Sequence, residues 1–329
     1  MRSIADMAGV NVSTVSRVLR QRPANSDSEV AQEIRRLADQ LGYRPDVWAA
    51  SLRSRRTHAL GVVVTRLTDV VMAAVYESIE QHAQSRGYLA VGGSSGDDPE
   101  QQRRRIEHYL DRRFDGLLIG DAHLEAPFLD ELAERNVPFI LFNRSSGSHP
   151  SVTWDDEVGG AIVARHFLDI GHRHIAIVNG PSYASSGVVR AKGFLDALAK
   201  EDMVLPPEMV INAGFDAAAG RRAARELLAM RPRPTAIFAV NDYSAIGVMG
   251  VIRDERLEVG RDIAVVGYND ITIADDLLVP LSSVRVPIDV MGRTAIEMIL
   301  ARMDGEAVAS RRLTPYLVVR DSSRGRLER

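Results

Sequence analysis

The sequence predicts an all-α helix-turn-helix head followed by an α/β body of two doubly wound parallel-sheet lobes. Three observations predict it. Short amphipathic helical patterns around a Gly turn fill residues 1–45 and give way to a polar, basic stretch, Ser54-Arg55-Arg56-Thr57. Beyond it, continuous apolar runs alternate with amphipathic helical patterns, the mark of parallel strands covered on both faces. The 329 residues leave room for a head and two α/β units, at ~100–200 residues per domain.

The charge divides at the same place. Residues 1–57 hold ten Arg against six Asp and Glu, +4, and the remainder is −7, giving −3 overall. A basic head on an acidic body fits a nucleic-acid module joined to a larger domain. There is no cysteine, which excludes disulfides, zinc ribbons and cysteine nucleophiles. No apolar run approaches the ~18 residues of a membrane-spanning helix. Met1-Arg2-Ser3-Ile4-Ala5-Asp6 lacks a signal-peptide stretch, so a cytoplasmic protein with no membrane association is expected.

In the head, Ile4–Ala8 reads as a first helix with Ser3 as its N-cap. Gly9-Val10-Asn11 is the turn. Val12–Leu19 follows as a second helix: Val15, Val18 and Leu19 share one side, while Val12, Ser13, Ser16, Arg17 and Arg20 form a polar, basic face. A third helix is capped by Ser26 or Asp27, carries the stripe Val30, Ile34, Leu37, Leu41 and stops at Gly42. Asp46–Arg53 is a short helix candidate with little apolar surface. Two short helices around a Gly turn fit a DNA-binding helix-turn-helix, with an ordinary helical hairpin as the alternative on spacing alone.

The order of the motifs goes further. Ala8-Gly9-Val10, Ser13-Thr14-Val15-Ser16-Arg17-Val18-Leu19, Leu41-Gly42-Tyr43-x-Pro45 and Ala49-x-x-Leu52 resemble the DNA-binding head of the LacI/GalR family of bacterial repressors. The resemblance implies a helix-turn-helix domain over 1–45, a hinge helix and linker over 46–57, and a ligand-binding and dimerising body over 58–329. It implies that Val12 and Ser13 vary base preference and that Arg17 reads a base, as a guanidinium fork pairs with guanine. Thr14 and Ser16 suit phosphate contacts. Arg20, where the family has Asn, is a further DNA contact. Leu52 is the expected minor-groove wedge, with Ala49 and Arg53 beside it on the hinge.

The body alternates in order. Strands are expected at 60–64, 88–91, 116–119, 138–142, 175–178, 236–239 and 263–266. Helices are expected at 71–85, 99–110, 128–135, 158–170, 189–200, 217–230 and 244–254. Beyond Val266 the pattern marks no element. Sheets of this type take ligands beyond their strands' carboxyl ends, where Phe142-Asn143-Arg144, Asn179-Gly180-Pro181, Asn241-Asp242 and Tyr268-Asn269-Asp270 lie. With Gly171-His172, Arg190-x-x-Gly193-Phe194 and Val266-Gly267-Tyr268, these segments resemble the family's effector domain, whose lobes are similar to periplasmic sugar-binding proteins. The implied N-lobe spans about 58–155 and 287–313, the C-lobe about 156–286 and 314–324.

By that resemblance Asn143, Arg190, Asn241 and Asn269 hold ligand hydroxyls or carboxylates, with Arg190 the main anchor, and Trp154 and Phe215 are aromatic walls. Asn143 and Asn269 stand where Asp is common, which points to a sugar, sugar acid or sugar phosphate. Arg190 pairing structurally with Asp156 or Asp270 is the competing expectation. Asp69-Val70-Val71-Met72 departs from the family's apolar segment there. A homodimer on a double-stranded, palindromic operator is implied, with no cofactor. The tail Asp321–Arg329 lacks the leucine heptads of a tetramerising coil.

Catalytic motifs are absent. Gly92-Gly93-Ser94-Ser95-Gly96 lacks the dinucleotide-binding spacing, and no Walker, His-Glu-x-x-His or Gly-x-Ser-x-Gly motif occurs. His172 and His174 read as turn residues, not metal ligands. Asp97-Asp98, Asp155-Asp156 and Asp275-Asp276 read as caps and solvated loops, because adjacent side chains diverge. No enzyme is expected. A solute-binding protein or an enzyme on the same fold, without DNA function, is the alternative.

Overall fold

The computed structural model describes residues 1–20, 28–43 and 56–324. The chain divides into two compact units, Met1–Thr57 and His58–Arg329.

In the first unit α1 (Arg2–Ala8) and α2 (Val12–Arg20) flank the turn, and α3 (Glu29–Gln40) completes the bundle. Gly9 adopts φ +63° and its N–H returns to the Ala5 carbonyl, a C-cap that a Cβ would strain. Ser3 lies inside α1 and caps nothing; Met1 is the cap residue, without a side-chain hydrogen bond. The Asn11 side chain instead caps α2, accepting from the Ser13 N–H at 3.0 Å. The cap of α3 is Ser28, accepting from the Ala31 N–H, and not the expected Ser26 or Asp27 just before it. The core is Ile4, Ala5, Val15, Val18, Ala31, Ile34, Leu37 and Ala38. Val30 and Leu41 are exposed; alanines at 31 and 38 take the packing face because three short helices approach closely. Ala49, Leu52, Arg53 and the rest of the hinge candidate lie outside the described residues.

The second unit has two six-stranded sheets. The first contains β1 (Ala59–Val64), β2 (Leu89–Ser94), β3 (Gly116–Ile119), β4 (Phe139–Phe142), β5 (Ser151–Trp154) and β11 (Arg311–Leu313), in the order β11-β5-β4-β3-β1-β2, all parallel. The second contains β6 (Ile175–Asn179), β7 (Val210–Asn212), β8 (Ala236–Ala239), β9 (Ala264–Asn269), β10 (Ser282–Arg285) and β12 (Tyr316–Val318), in the order β12-β10-β9-β8-β6-β7. Only β12 runs antiparallel. Covering helices are α4 (Val70–Ser85), α5 (Pro99–Asp111), α6 (Pro127–Glu134), α7 (Asp156–Asp169), α8 (Ser185–Ala199), α9 (Ala217–Ala229), α10 (Asp242–Asp254) and α11 (Ile288–Met303). The chain passes between the sheets after β5, after β10 and between β11 and β12.

Central strands bury every side chain, as the apolar runs at β3, β4 and β8 require. β2 runs on through Gly92 and Gly93, where the sequence suggests a loop. The Tyr76 ring occupies the space a Cβ on Gly92 would fill, 2.6 Å away, so an aromatic supplies the packing the glycine lacks. Five of the eight strand-to-helix loops end in a side-chain cap: Asp69, Asp98, Asp155, Asp216 and Asn241 each accept a first-turn N–H. These caps place polar residues at the strands' carboxyl ends.

Helices α7 and α8 meet backbone to backbone. A Cβ on Gly160 would lie 2.0 Å from the Arg190 carbonyl oxygen, and one on Gly193 2.1 Å from that of Glu157. Gly193→Ala forces this interface apart and should lower stability by ~1–3 kcal/mol or more. Equal urea midpoints for the variant and the parent would contradict the contact.

Candidate ligand cleft and DNA-binding surface

On α2, Val15 and Val18 face the core and Val12, Ser13 and Arg17 face outward. Thr14 and Ser16 are half-buried. Among the described residues nothing pairs with the Arg17 guanidinium. Arg20 closes the helix. The outward row therefore offers a hydroxyl, a methyl-bearing side chain and an unpaired guanidinium on one narrow face, the equipment for reading base edges.

In the second unit a cleft of about 490 Å³ opens between the two sheets' carboxyl ends. Of the sequence-derived residues, Asn143, Arg190, Phe215, Asn241 and Asn269 line it, and Trp154 does not. Trp154 ends β5 with 1% exposure and lies on the wall of a second cavity. Its place at the last residue of a buried strand turns it from the cleft into the sheet's packing face.

The cleft residues differ in what they have left to offer. Arg190 is buried. Its Nε donates to Asp156 Oδ1 at 2.8 Å, its Nη1 donates to the Val240 carbonyl at 2.8 Å, and its guanidinium stacks 3.8 Å from the Tyr268 ring centroid. Of the two expected partners Asp156 holds it, while Asp270 pairs with Arg285 and Arg320. Asn241 donates to the Phe215 carbonyl at 2.6 Å and accepts from Ser244 N–H, so its amide is spent on capping α10. Asn143 and Asn269 take positive φ, 62° and 102°, a conformation Asn tolerates. No side chain or backbone group among the described residues holds their amides. The Phe215 ring packs against Gly180, where a Cβ would lie 2.4 Å away.

Sequence reasoning missed the cations and their partners. Arg144, next to Asn143, is buried and forms a fork with Asp97 at 2.7 and 3.2 Å. Tyr183, from the other lobe's loop, donates to the same carboxylate at 3.0 Å and stacks on His123. Burial pushes the Asp97 carboxyl up, but the hydrogen bonds and charge of Arg144 outweigh it and hold it below the ordinary range. Asp97, partly buried, and Asp156, buried, are thus ion-pair members and not the solvated loop residues their sequence neighbourhood suggests, whereas Asp98 and Asp155 are caps. Arg66, also on the cleft wall, donates to the Gly96 carbonyl at 3.2 Å and pairs with no carboxylate among the described residues. Asp69 lines the cleft while capping α4; burial raises its pKa, partly offset by the N–H groups of Val71 and Met72. His172 bonds Thr235 Oγ1 at 2.9 Å in a turn. Among the described residues no group of three His, Asp or Glu is placed to hold a metal, and no helix is long and apolar enough to cross a membrane.

Comparison with known proteins places this architecture. Residues 1–46 match the family model for bacterial regulatory proteins of the lacI family, and 164–323 match the periplasmic binding protein-like domain. The ribose operon repressor of Haemophilus influenzae is 30% identical over 328 residues, 98% of each chain. The chain belongs to the LacI family of bacterial regulatory proteins. The PurR repressor of Photobacterium profundum is 29% identical over 327 residues, again 98% of each chain. The lac repressor dimer bound to operator and the anti-inducer ONPF superposes with a TM-score of 0.85 at 26% identity, covering 97% of each chain. A CelR–cellobiose complex superposes with a TM-score of 0.74 at 30% identity, covering 97% of this chain and 98% of that one.

This LacI-family body also buries a carboxyl beside its cleft. Asp242 opens α10, accepts from Ser283 Oγ at 2.6 Å and from the Ile271 N–H at 2.8 Å, and is pushed up to about 7, chiefly by burial, with Asp270 adding to the rise. The folded chain holds this proton at pH values where the unfolded chain, near 3.8, has released it. The contribution is therefore fully present below the unfolded value and is lost as pH rises through the folded one. Asp242→Asn keeps an acceptor for Ile271 and a partner for Ser283. Its stability relative to the parent should rise between about pH 4 and 7, read by urea denaturation; parallel profiles would refute it.

Proposed function

We propose that this chain is a sequence-specific DNA-binding repressor of the cytoplasm. It binds a palindromic operator as a homodimer and changes its operator affinity when a small hydroxylated ligand enters the cleft. The observation that carries this reading is the pairing, in one chain, of an outward Val12-Ser13-Arg17 face on α2 with a two-lobed cleft whose Asn143 and Asn269 amides are uncommitted. Arg17 reads guanine, Val12 and Ser13 tune base preference, and Thr14, Ser16 and Arg20 contact the backbone. Ala49, Leu52 and Arg53 form the hinge contacts, with Leu52 the wedge. In the cleft, Asn143 and Asn269 hold hydroxyls, Phe215 supplies an apolar face, and Arg66 draws a carboxylate or phosphate. Arg190 and Asn241 hold the walls in place. A sugar acid or sugar phosphate fits this set better than a neutral sugar, because among the described residues no carboxylate satisfies Arg66.

Selection of bound duplexes by the full chain from a random pool tests the DNA reading. The expected product is a palindrome whose half-sites lie about one helical turn, ~10 bp, apart. Arg17→Ala should cost ~1–3 kcal/mol on that sequence and relax one guanine per half-site. Unchanged selected sequences would remove Arg17 from the interface.

Thermal-shift screening of sugars, sugar acids and sugar phosphates tests the ligand. Asn269→Asp preserves the positive-φ backbone but sets a second negative charge against an anionic ligand. It should weaken an acidic ligand roughly ten- to a hundredfold while leaving the free protein's melting temperature near the parent's. Equal affinity in the variant would place the ligand elsewhere.

A further inference from the structure

The Arg190–Asp156 ion pair has a cavity at each end. Arg190 lines the cleft, and Asp156 lines a separate cavity of about 220 Å³. Both lobes build the second one. Trp154 and Asp155 come from the end of β5, Ser148 from the turn after β4, Arg312 from edge strand β11 and Ser185 from the start of α8.

We propose that this second cavity is a binding site for a small hydroxylated oxyanion, of the size of a three-carbon hydroxy acid or polyol phosphate. The walls are rich in unspent donors. Trp154 is 1% exposed, yet its indole N–H has no hydrogen-bond partner among the described residues. A buried donor left unpaired is costly, so a ligand acceptor there is favoured. Arg312 is exposed and its guanidinium has no partner among the described residues. The Ser148 hydroxyl is equally uncommitted. Ser185 Oγ accepts from the Ser145 N–H at 2.8 Å and keeps its own proton to donate.

The acids set the other half of the chemistry. Asp156 is neutralised by Arg190. Asp155 gives Oδ1 to the Val158 N–H at 3.3 Å, leaving Oδ2 as an acceptor facing a ligand that must supply a hydroxyl. A bare inorganic anion satisfies the donors alone; a hydroxylated one satisfies both sides. The site is independent of whichever molecule fills the cleft.

The chain has two tryptophans, Trp48 and Trp154, so Trp48→Phe leaves Trp154 as the only indole emitter. The full-length Trp48→Phe chain is titrated with glycerol 3-phosphate, D-glycerate and inorganic phosphate at constant ionic strength. A saturable change in emission is expected with at least one of the first two, with phosphate weaker. Arg312→Ala in that background should raise the apparent Kd roughly ten- to a hundredfold. Trp154→Phe keeps a ring and loses the donor, and should shrink the ligand-induced rise in melting temperature of the otherwise unaltered chain. No saturation by any probe up to ~10 mM, an unaltered Kd in Arg312→Ala, or an undiminished thermal rise in Trp154→Phe would each overturn the proposal. The Asn269→Asp cleft variant should bind these probes as the parent does; a loss confined to that variant would assign them to the cleft and overturn it too.

Discussion

A guanidinium with almost no access to water sits at the junction of the two lobes, and its neutralisation sets the local architecture. Arg190 satisfies Asp156, the Val240 carbonyl and the face of Tyr268 at once. Removing one member of such a buried pair costs ~3–5 kcal/mol, because the other charge is left stranded. The pair forms only because α7 and α8 touch along their backbones at Gly160 and Gly193, which brings the first turn of one helix under the middle of the other. Gly159 makes room for the Tyr268 ring from the same side; a Cβ there would lie 2.2 Å from the phenol oxygen. Three consecutive features of the sequence, small residues on α7, a small residue on α8 and an acidic first turn, therefore serve one charge.

This constraint shapes the cleft. A family-derived reading makes Arg190 the chief ligand anchor, but its hydrogen-bonding capacity is largely committed to the protein. Arg144 is committed in the same way, to Asp97, and that carboxylate is also where Tyr183 of the other lobe docks. The loop carrying Tyr183 further accepts the Leu124 N–H at 2.8 Å through its own carbonyl. Hydrogen bonds of Tyr183 Oη to Asp97, of the Leu124 N–H to the Tyr183 carbonyl and of the Ser145 N–H to Ser185 Oγ thus join the two lobes. Among the described residues, the cleft groups not held in these pairs include Arg66, the Asn143 and Asn269 amides and the Phe215 ring.

The fold was legible where a buried strand was also a continuous apolar run; β5 and β10, interior and largely buried but interrupted by Ser and Thr, were not expected. Gly116–Ile119 and Ala236–Ala239 are continuous apolar runs, and the structure begins and ends those strands where the runs do. Edge strands carry no such signal. Arg-Arg-Leu at β11 and Val-Ile-Asn at β7 are half exposed, so nothing in their composition separates them from loops. In the head, the α3 stripe is displaced because alanine, which periodicity reading passes over, packs where helices crowd. Strand-end positions brought Asn143, Asn241 and Asn269 to the cleft wall, since the carboxyl-end rule depends on topology alone, while Arg190 and Phe215 were expected there only from the family resemblance. That Asn241 was already spent was not legible, and for Arg190 the sequence offered Asp156 only as one of two alternative partners. The partner of Arg190 is 34 residues away and that of Arg144 is 47, and only the tertiary fold brings them together.

The route of the chain through the two sheets has a consequence for synthesis on the ribosome. The first sheet lacks its outer strand until Arg311–Leu313 has emerged, although β5 beside it ends at Trp154. The second lacks β12 until a few residues later. Neither lobe can close until those strands have emerged, and until then two sheet edges stay open to pairing with other chains. Closing loops of that length is slow, since the contacts that reward it form last. The head, whose three helices are contiguous in sequence, faces no such delay and can be structured long before the body that governs it.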